Sequence, residues 1–305
     1  MDGINREILS LIDKSFTPAT HAAYQQGLVA FQDFCSIHGI SSQLPTTEQN
    51  VARFVAYMSL SGKAAATAKN YLAGLSAYHK INSLPDPTNT FLIRTLLRGL
   101  TRSSAKRDNR YPITLERLQA LLPTLSLVCK DTYEACLFKA AFSLAFFGFL
   151  RVSEMLGQTS TGGSRRGPLQ LKDVSIDLVS LSVKLSGSKT NQTGRPEMVI
   201  IHKEFKNQEF CPINLMEKYV QAHPKNSNTL FVHFNGSPVT RYQFQAVLKK
   251  SAHCLKWQVS GFTSHSLRIG AATSAAAKGV PVEEIMRKGR WKSAAVASYI
   301  RLDRV

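Results

Sequence analysis

The seven residues from Val179 to Leu185 alternate strictly between apolar and polar side chains, which is typical of a strand with one buried face. Two shorter strand patterns lie at 169–171 and 198–201, and residues 187–196 would link the last two strands as a hairpin. In most other segments the apolar residues recur at helical spacing. We therefore predict a mainly α fold with a small antiparallel β-sheet.

The first hundred residues predict a helical bundle. Thr17 followed by Pro18 is typical of a helix start, and Thr46 with Gln49 matches a capping box ahead of the next helix. Two further helical patterns follow before residue 101. Four helices joined by short loops would form a compact N-terminal domain over residues 1–101.

Residues 102–111 form the predicted boundary because they are basic and have no apolar periodicity. They fit either a solvated linker or a basic strap across a phosphate backbone, and the repulsion among like charges favours the strap. Residues 112–305 then predict a mixed α/β domain that is mostly helical. Its predicted helices begin near Thr114, Asp131, Pro212, Thr240, Ser264, Pro281 and Ser293.

The charge distribution indicates a polyanionic partner. Of the net charge of +18, residues 1–100 contribute little, with 8 Lys and Arg against 6 Asp and Glu, whereas residues 101–305 carry 30 against 14. Such asymmetry is typical of nucleic-acid binding. A solvated basic face or a membrane-surface patch would carry similar charge, but no basic amphipathic helix with an aromatic face occurs, which disfavours the membrane.

Composition also bears on the compartment. The 5 cysteines are odd in number, scattered and free of a CxxC pair, which disfavours a disulfide framework and a zinc site. The first residues lack a basic stretch followed by an apolar one, so we expect no secretion signal. No apolar run approaches the roughly 20 residues of a membrane span. We predict an intracellular, DNA-associated protein, nuclear if the host is eukaryotic and otherwise in the cytoplasm or nucleoid.

Arg151 is the first residue with candidate chemistry. It follows the apolar run from Ala140 to Leu150, where an unpaired guanidinium would be costly. Glu154 lies three residues on, on the same helical face, so a structural salt bridge is one interpretation. The other is that Glu154 holds the planar guanidinium at the edge of a pocket and directs it at phosphate oxygens. Taken alone, Arg151 favours the salt bridge.

His265 and Arg268 lie three residues apart at a predicted helix start, capped by Thr263 or Ser264, so they share one face. The N-terminus of a helix that carries a histidine and an arginine is suited to binding an anion. A lone histidine is more often a core residue, and here the two interpretations are evenly balanced.

Tyr299 lies in a helical run, where a tyrosine is most often a core residue. Its companions give it a functional interpretation, because a Gly289-Arg290-Trp291 turn precedes it and cationic residues lie upstream. A phenol with an ordinary pKa near 10 is a poor nucleophile at neutral pH unless cations surround it. The upstream cationic residues would supply such a field.

Taken in order, these residues resemble the set of the tyrosine recombinase (lambda-integrase-like) family. The resemblance is clearest over residues 112–305 and weaker over the helices before them. Glu154 matches the acidic residue that follows the first arginine of the family. The matching catalytic positions are Arg151, Lys189, His265, Arg268, Trp291 and Tyr299.

The resemblance implies an activity. Tyr299 would attack a DNA phosphodiester, forming a 3′-phosphotyrosyl bond and releasing a 5′-hydroxyl. Arg151 and Arg268 would neutralise charge on the phosphate oxygens, Lys189 would protonate the departing oxygen, and His265 would manage the tyrosine proton. Trp291 would pack or donate a hydrogen bond at the phosphate. Because the bond energy stays in the phosphotyrosine, neither a metal nor a nucleotide cofactor would be needed.

The resemblance also implies an assembly. A SAM-like core-binding domain, the basic linker and the catalytic domain would form a C-shaped clamp on double-stranded DNA, and the working unit would be a tetramer on two DNA sites. We predict further DNA contacts from basic residues outside the catalytic set. These are Lys69, Arg102, Lys106, Arg107, Arg110, Arg290 and Lys292.

Three departures from the family pattern are visible. Ile269 stands where many members have histidine, Trp291 replaces the commoner histidine as in the Cre-type branch, and only six residues follow Tyr299. The short tail predicts a protein that is mainly monomeric without DNA. Two alternatives stay open: a type IB topoisomerase, which religates the same strand, and a domesticated DNA-binding protein without catalysis.

Overall fold

A computed structural model describes residues 2–103, 108–157, 167–188, 191–203 and 208–304. Contacts divide the chain into two compact units, Met1–Arg107 and Asp108–Val305. The domain boundaries at 101 and 112 stay predictions. Part of the predicted linker, residues 108–111, lies in the second unit, where the Tyr111 N–H donates to the carbonyl oxygen of Gly261 at 2.8 Å. No helix among the described residues is long and apolar enough to cross a membrane.

The described part of the first unit is helical, with one more α-helix than the four predicted. The additional helix precedes the Thr17 cap, whose hydroxyl accepts from the Thr20 N–H at 3.0 Å as its sequence indicates. The helices are α1 (Asp2–Ser15), α2 (Pro18–Ile37), α3 (Glu48–Leu60), α4 (Ala65–Ile81) and α5 (Phe91–Ser103).

The cap predicted for α3 is off by one residue. Thr47 caps the helix, since its hydroxyl accepts from the Asn50 N–H at 3.2 Å. Thr46 is buried, and its N–H donates to Nε2 of His79 at 3.2 Å. A contact with a residue of α4 therefore fixes Thr46, and the next threonine is left to cap the helix.

The second unit has seven α-helices among its described residues, and all but the short α8 begin close to a predicted start. Thr114 caps the first of them, since its hydroxyl faces the Arg117 N–H at 3.4 Å. A 3₁₀ helix at Ala294–Tyr299 follows the last. The α-helices are α6 (Leu115–Val128), α7 (Thr132–Phe147), α8 (Val152–Met155), α9 (Pro212–Ala222), α10 (Arg241–Cys254), α11 (His265–Ala277) and α12 (Val282–Gly289).

The sheet is three-stranded and antiparallel, in the order β1 (Val174–Ile176), β2 (Ser180–Ser188) and β3 (Asn191–His202). The apolar side chains of β2 are buried, as the alternation predicts. The predicted strand at 169–171 is wrong: Gln170 makes only an isolated bridge to Thr229, and a 3₁₀ turn follows. Strands β2 and β3 extend into the predicted hairpin loop.

The core of the second unit surrounds α7. Most of this helix is buried, and Phe142 packs edge-to-face on Phe244 of α10 with ring centroids 4.8 Å apart. Gly270 on α11 lies so close to the chain at Ile113 that an added Cβ would be 1.6 Å from the Ile113 carbonyl oxygen. The described residues confirm a mainly helical fold with a small antiparallel sheet.

Candidate active site

Arg151 lies at the turn between α7 and α8. The turn is tight, and Phe149 adopts a positive φ of 50°. The Glu154 carboxylate accepts from the Arg151 backbone N–H at 2.8 Å and from its Nη1 at 3.0 Å. The predicted salt bridge is therefore present, and it orients a guanidinium that is 18% exposed and within reach of a ligand.

Arg268 projects from α11 into the interior and is fully buried. Its Nη1 donates to the Phe149 carbonyl oxygen and its Nη2 to the Gly289 carbonyl oxygen. These bonds connect the turn after α7 with the end of α12. Burial lowers the pKa of Arg268, as does the nearby charge of Arg151, while Glu154 raises it. An arginine starts so far above neutral pH that it stays charged here.

Arg290 is a buried structural cation. It ends α12 with a left-handed φ of 57°, and its Nη2 lies 2.9 Å from Glu154 Oε2. Its Nη1 also donates to the Gly148 carbonyl oxygen at 3.2 Å. The predicted DNA contact does not fit this geometry, because the side chain is 10% exposed and paired with a buried carboxylate.

The Glu154 carboxylate, which is 2% exposed, pairs with the guanidiniums of Arg151 and Arg290, and it also feels the charge of Arg268. Burial by itself would raise the pKa of Glu154. The charges of Arg290, Arg151 and Arg268, with the hydrogen bond from the Arg151 backbone, outweigh burial and hold the pKa below its ordinary value. Glu154 is therefore the anion that allows three positive charges to gather beneath one surface.

Trp291 and Tyr299 lie over Arg268. The central guanidinium carbon of Arg268 is 4.3 Å from the Trp291 ring centroid and 5.7 Å from that of Tyr299, and the two rings are 4.9 Å apart. Gly289 leaves space for the indole, since an added Cβ there would be 1.7 Å from a ring carbon. Within the described part of the chain, Arg268 Nε and Trp291 Nε1 are buried without hydrogen-bond partners.

His265 is the first residue of α11 and is half-buried. Gln245 fixes the turn ahead of it, because its side-chain oxygen accepts from the Ser264 N–H at 2.6 Å. Of the two predicted caps, Thr263 accepts from the His265 N–H at 3.2 Å, and Ser264 makes no capping bond. Burial lowers the pKa of His265, and so do the charges of Arg110, Arg241, Arg268 and Arg151. The imidazole is therefore neutral at pH 7 and able to accept a proton.

Sequence reasoning missed the pairing of Asp108 with Arg301, and it placed both Asp108 and Arg110 in the linker. Arg301 pairs with the Asp108 carboxylate, and the same carboxylate accepts from Arg110 Nη2 at 2.6 Å. Arg110 was expected to contact the DNA backbone. That contact stays a prediction, and the charge of Arg110 also acts on His265 and interacts with Tyr299.

The other predicted residues fall into two groups. Lys69 and Arg102 in the first unit and Lys292 in the second are exposed, and Lys69 lines a surface depression with the basic residues Arg94 and Arg98. Their DNA contacts stay predictions. The remaining three lie outside the described residues: Lys106, Arg107 and Lys189.

Comparison with protein families identifies the chain. The phage integrase family profile matches residues 113–304, and the profile of the phage integrase N-terminal SAM-like domain matches residues 9–82. The two profiles define a DNA recombinase of the tyrosine type. The chain belongs to the phage integrase family, which confirms the predicted family.

Similar proteins agree with this assignment. An integrase/recombinase XerD homologue of Selenomonas ruminantium is 24% identical over 95% of this chain and 84% of its own length. A tyrosine recombinase XerD of Staphylococcus saprophyticus is 24% identical over 90% of this chain and 84% of its own. These relatives confirm the predicted general activity, which is site-specific DNA recombination.

Solved structures share the fold. The XerH recombinase bound to a palindromic difH substrate, in a post-cleavage complex, matches with a TM-score of 0.67 at 17% identity, covering 93% of this chain and 76% of that chain. A lambda integrase (75–356) dimer on a COC′ core site gives 0.61 at 16% identity, with 97% and 93% covered. A lambda integrase tetramer on a Holliday junction gives 0.62 at 15% identity, with 97% and 76% covered.

Proposed function

We propose that Tyr299 is the nucleophile of this recombinase and that it forms a 3′-phosphotyrosyl bond with DNA. The observation that carries the proposal is the stack of Tyr299 and Trp291 over the buried Arg268 guanidinium, at 5.7 and 4.3 Å. A core tyrosine has no need of a desolvated cation beside it, whereas an attacking phenolate gains directly from that charge.

Arg151 and Arg268 serve the phosphate. The exposed edge of Arg151 donates to the non-bridging oxygens, and Arg268 places a fixed charge beneath them. The unpaired buried N–H groups of Arg268 and Trp291 support this role, since each is a donor without an acceptor. Donors already held in place are the most effective stabilisers of charge that develops in a transition state.

His265 and Lys189 move the protons. His265, neutral at pH 7, takes the proton from the Tyr299 hydroxyl as its oxygen bonds to phosphorus. The bond from phosphorus to the 5′-oxygen breaks, and Lys189 gives that oxygen a proton. A 5′-hydroxyl from a second strand then attacks the phosphotyrosine and releases Tyr299, so that one phosphodiester replaces another and no metal or nucleotide cofactor is required.

The partner is double-stranded DNA, and a tetramer of the protein binds it in the complete reaction. The protein acts inside the cell, where it is associated with DNA. The net charge of +18 supports DNA binding. The tetrameric lambda integrase on a Holliday junction and the XerH complex on difH support a DNA-dependent assembly in this fold. Strand exchange between two duplexes, rather than religation of one strand, separates this function from that of a topoisomerase.

The test is covalent attachment. The probe is a nicked duplex containing the sequence that the protein enriches from a random pool, and the readout is an adduct that resists SDS. Tyr299→Phe should abolish the adduct with little change in DNA affinity, because only one oxygen is lost. The matched control, Tyr242→Phe, changes a tyrosine that is 82% exposed and should behave as wild type. An adduct formed by Tyr299→Phe would assign the nucleophile elsewhere.

A further inference from the structure

The chain just after Tyr299 is fastened to the first residues of the second unit. The Arg301 side chain is 9% exposed, and its Nη2 pairs with the Asp108 carboxylate. Its Nη1 donates to the carbonyl oxygens of Asp108, at 3.2 Å, and of Arg110. The same guanidinium reaches the Ser298 carbonyl oxygen at 3.3 Å. One side chain thus connects the residue before Tyr299 with residues 108–110.

Thr273 provides a second attachment for the same segment. Its hydroxyl lies 3.2 Å from the Tyr299 carbonyl oxygen and accepts from the Arg301 N–H at 3.1 Å. Thr273 is fully buried on α11, the helix that carries His265 and Arg268. The backbone on both sides of residue 300 is therefore held against the helix that presents the histidine and the arginine of the site.

Arg110 is held by the same carboxylate. The Asp108 carboxylate accepts from Arg110 Nε at 2.9 Å and from Nη2 at 2.6 Å, so it orients two guanidiniums at once. The hydrogen bonds from Arg110, followed by those from Arg301, hold the pKa of Asp108 below its ordinary value against the effect of burial. Asp108 is therefore ionised throughout the neutral range and keeps both partners in place.

We infer that Asp108, Arg110 and Arg301 form a clasp that positions Tyr299 for attack, in which Asp108 and Arg301 are positioning residues and Arg110 supplies charge near the tyrosine oxygen. The inference rests on the proposed role of Tyr299 as the nucleophile. Positioning is a large effect in catalysis, since a displacement of about 1 Å can cost on the order of 10²-fold in rate. A planar guanidinium fits this clasp better than an ammonium, because it bonds in several directions in one plane.

The experiment measures the single-turnover rate of adduct formation at saturating DNA, on the same nicked duplex, together with the dissociation constant and the melting temperature. Asp108→Asn and Arg301→Ala should slow adduct formation by about 10- to 100-fold without weakening DNA binding in proportion. Arg301→Lys should recover only part of the loss. The matched control, Arg287→Ala, removes a cation that is 78% exposed and should leave the rate unchanged.

The outcomes separate this inference from the proposed function. If the wild-type protein forms the adduct and the clasp variants match its rate, the clasp is overturned and the nucleophile stands. If Arg301→Ala melts before the assay temperature, Asp108→Asn decides, because it keeps the side chain's shape. A wild-type rate for Arg301→Lys contradicts the need for a planar group. If the wild-type protein forms no adduct, both proposals fail.

Discussion

The Arg268 guanidinium stacks on the Trp291 indole, with its central carbon 4.3 Å from the ring centroid. Both residues are buried, and each keeps one N–H without a partner among the described residues. The aromatic face offsets part of the cost of a buried positive charge, and it leaves guanidinium donors available for an anion. The stack therefore has a structural role and suits the chemical role proposed for it.

Trp291→Phe should separate these two roles. Phenylalanine keeps an aromatic ring over Arg268 but removes the indole N–H. A hydrogen bond to a charged group contributes about 1.5–3 kcal/mol, so we expect the saturating cleavage rate to fall about 10- to 100-fold. The control is Trp257→Phe, which changes a half-buried tryptophan that packs on Phe262 and should leave the rate unchanged. A wild-type rate for Trp291→Phe would mean that Trp291 only packs on Arg268 and that its indole N–H has no part in cleavage.

Glu154→Gln should destabilise the folded chain strongly, because it removes the buried carboxylate that pairs with Arg151 and Arg290 and offsets the charge of Arg268. Losing one partner from a buried ion pair costs about 3–5 kcal/mol, measurable as the free energy of unfolding in urea. The matched control is Glu284→Gln, whose carboxylate is 40% exposed and lies 3.2 Å from Lys288 Nζ. That exposed pair should contribute less than about 1 kcal/mol. Equal losses in the two variants would contradict the shared role of Glu154.

The same carboxyl predicts the direction of a pH effect. Because the folded pKa of Glu154 lies below its unfolded value of about 4.3, its stabilisation is complete above that value and is lost as the pH falls through the lowered folded pKa. Glu154→Gln should therefore unfold with a weaker dependence on pH in this acidic range than the wild-type protein.

His265 should titrate below pH 6.5 in the DNA-free protein, because burial and four nearby arginines oppose its protonation. The measurement is the NMR shift of its imidazole resonances against pH, with His265→Gln for assignment. Arg110→Ala should raise the midpoint, since it removes the second-largest cause of the shift, whereas Arg287→Ala should not. The unfolded chain binds this proton at a higher pH than the folded chain does. Lowering the pH from about 6.5 through the folded pKa of His265 therefore lowers the free energy of unfolding. A midpoint above 6.5 would contradict the neutral histidine.

Lys189 can be tested through the leaving group. If Lys189 protonates the departing 5′-oxygen, Lys189→Ala should cleave an ordinary phosphodiester more slowly than the wild-type protein, by on the order of 10²- to 10⁴-fold. A probe with sulfur at the bridging 5′ position should be cleaved at close to the wild-type rate, because a thiolate leaves without needing the proton. Lys184→Ala is the matched control on β2. A variant that stays slow on the sulfur probe would give Lys189 a role other than the acid.

Much of the fold could be predicted from local patterns, and the exceptions have physical causes. The alternation in β2 and the caps Thr17 and Thr114 depend on neighbouring residues, so they are visible in sequence. The prediction missed helix α1, although its apolar residues recur at helical spacing. Ile4 and Leu11 on this helix are 72% and 57% exposed, so they do not belong to the core. The Thr46 cap failed because a residue of another helix holds that threonine.

The candidate site also has some features that local sequence patterns predict and others that they do not. The ordered motifs predicted Arg151, His265 and Tyr299 as site residues, which stays a prediction, and the spacing of Glu154 suggested the salt bridge that the structure contains. Neither the pairing of Asp108 with Arg301, 193 residues apart, nor the burial of Arg290 in the Glu154 cluster has any local signature. Such long-range pairs arise from tertiary folding, and spacing along the chain cannot reveal them.

Gly270 gives this active site a genetic constraint. An added Cβ would meet the Ile113 carbonyl oxygen at 1.6 Å, a backbone atom that cannot rotate away. Every amino-acid change that a single-base mutation can make in a glycine codon introduces a side chain. We expect each of them to push residue 113 away from α11, the helix that carries His265 and Arg268. We therefore expect a gene copy that encodes any other residue at this position to have a distorted site, even where the six proposed catalytic residues are still encoded.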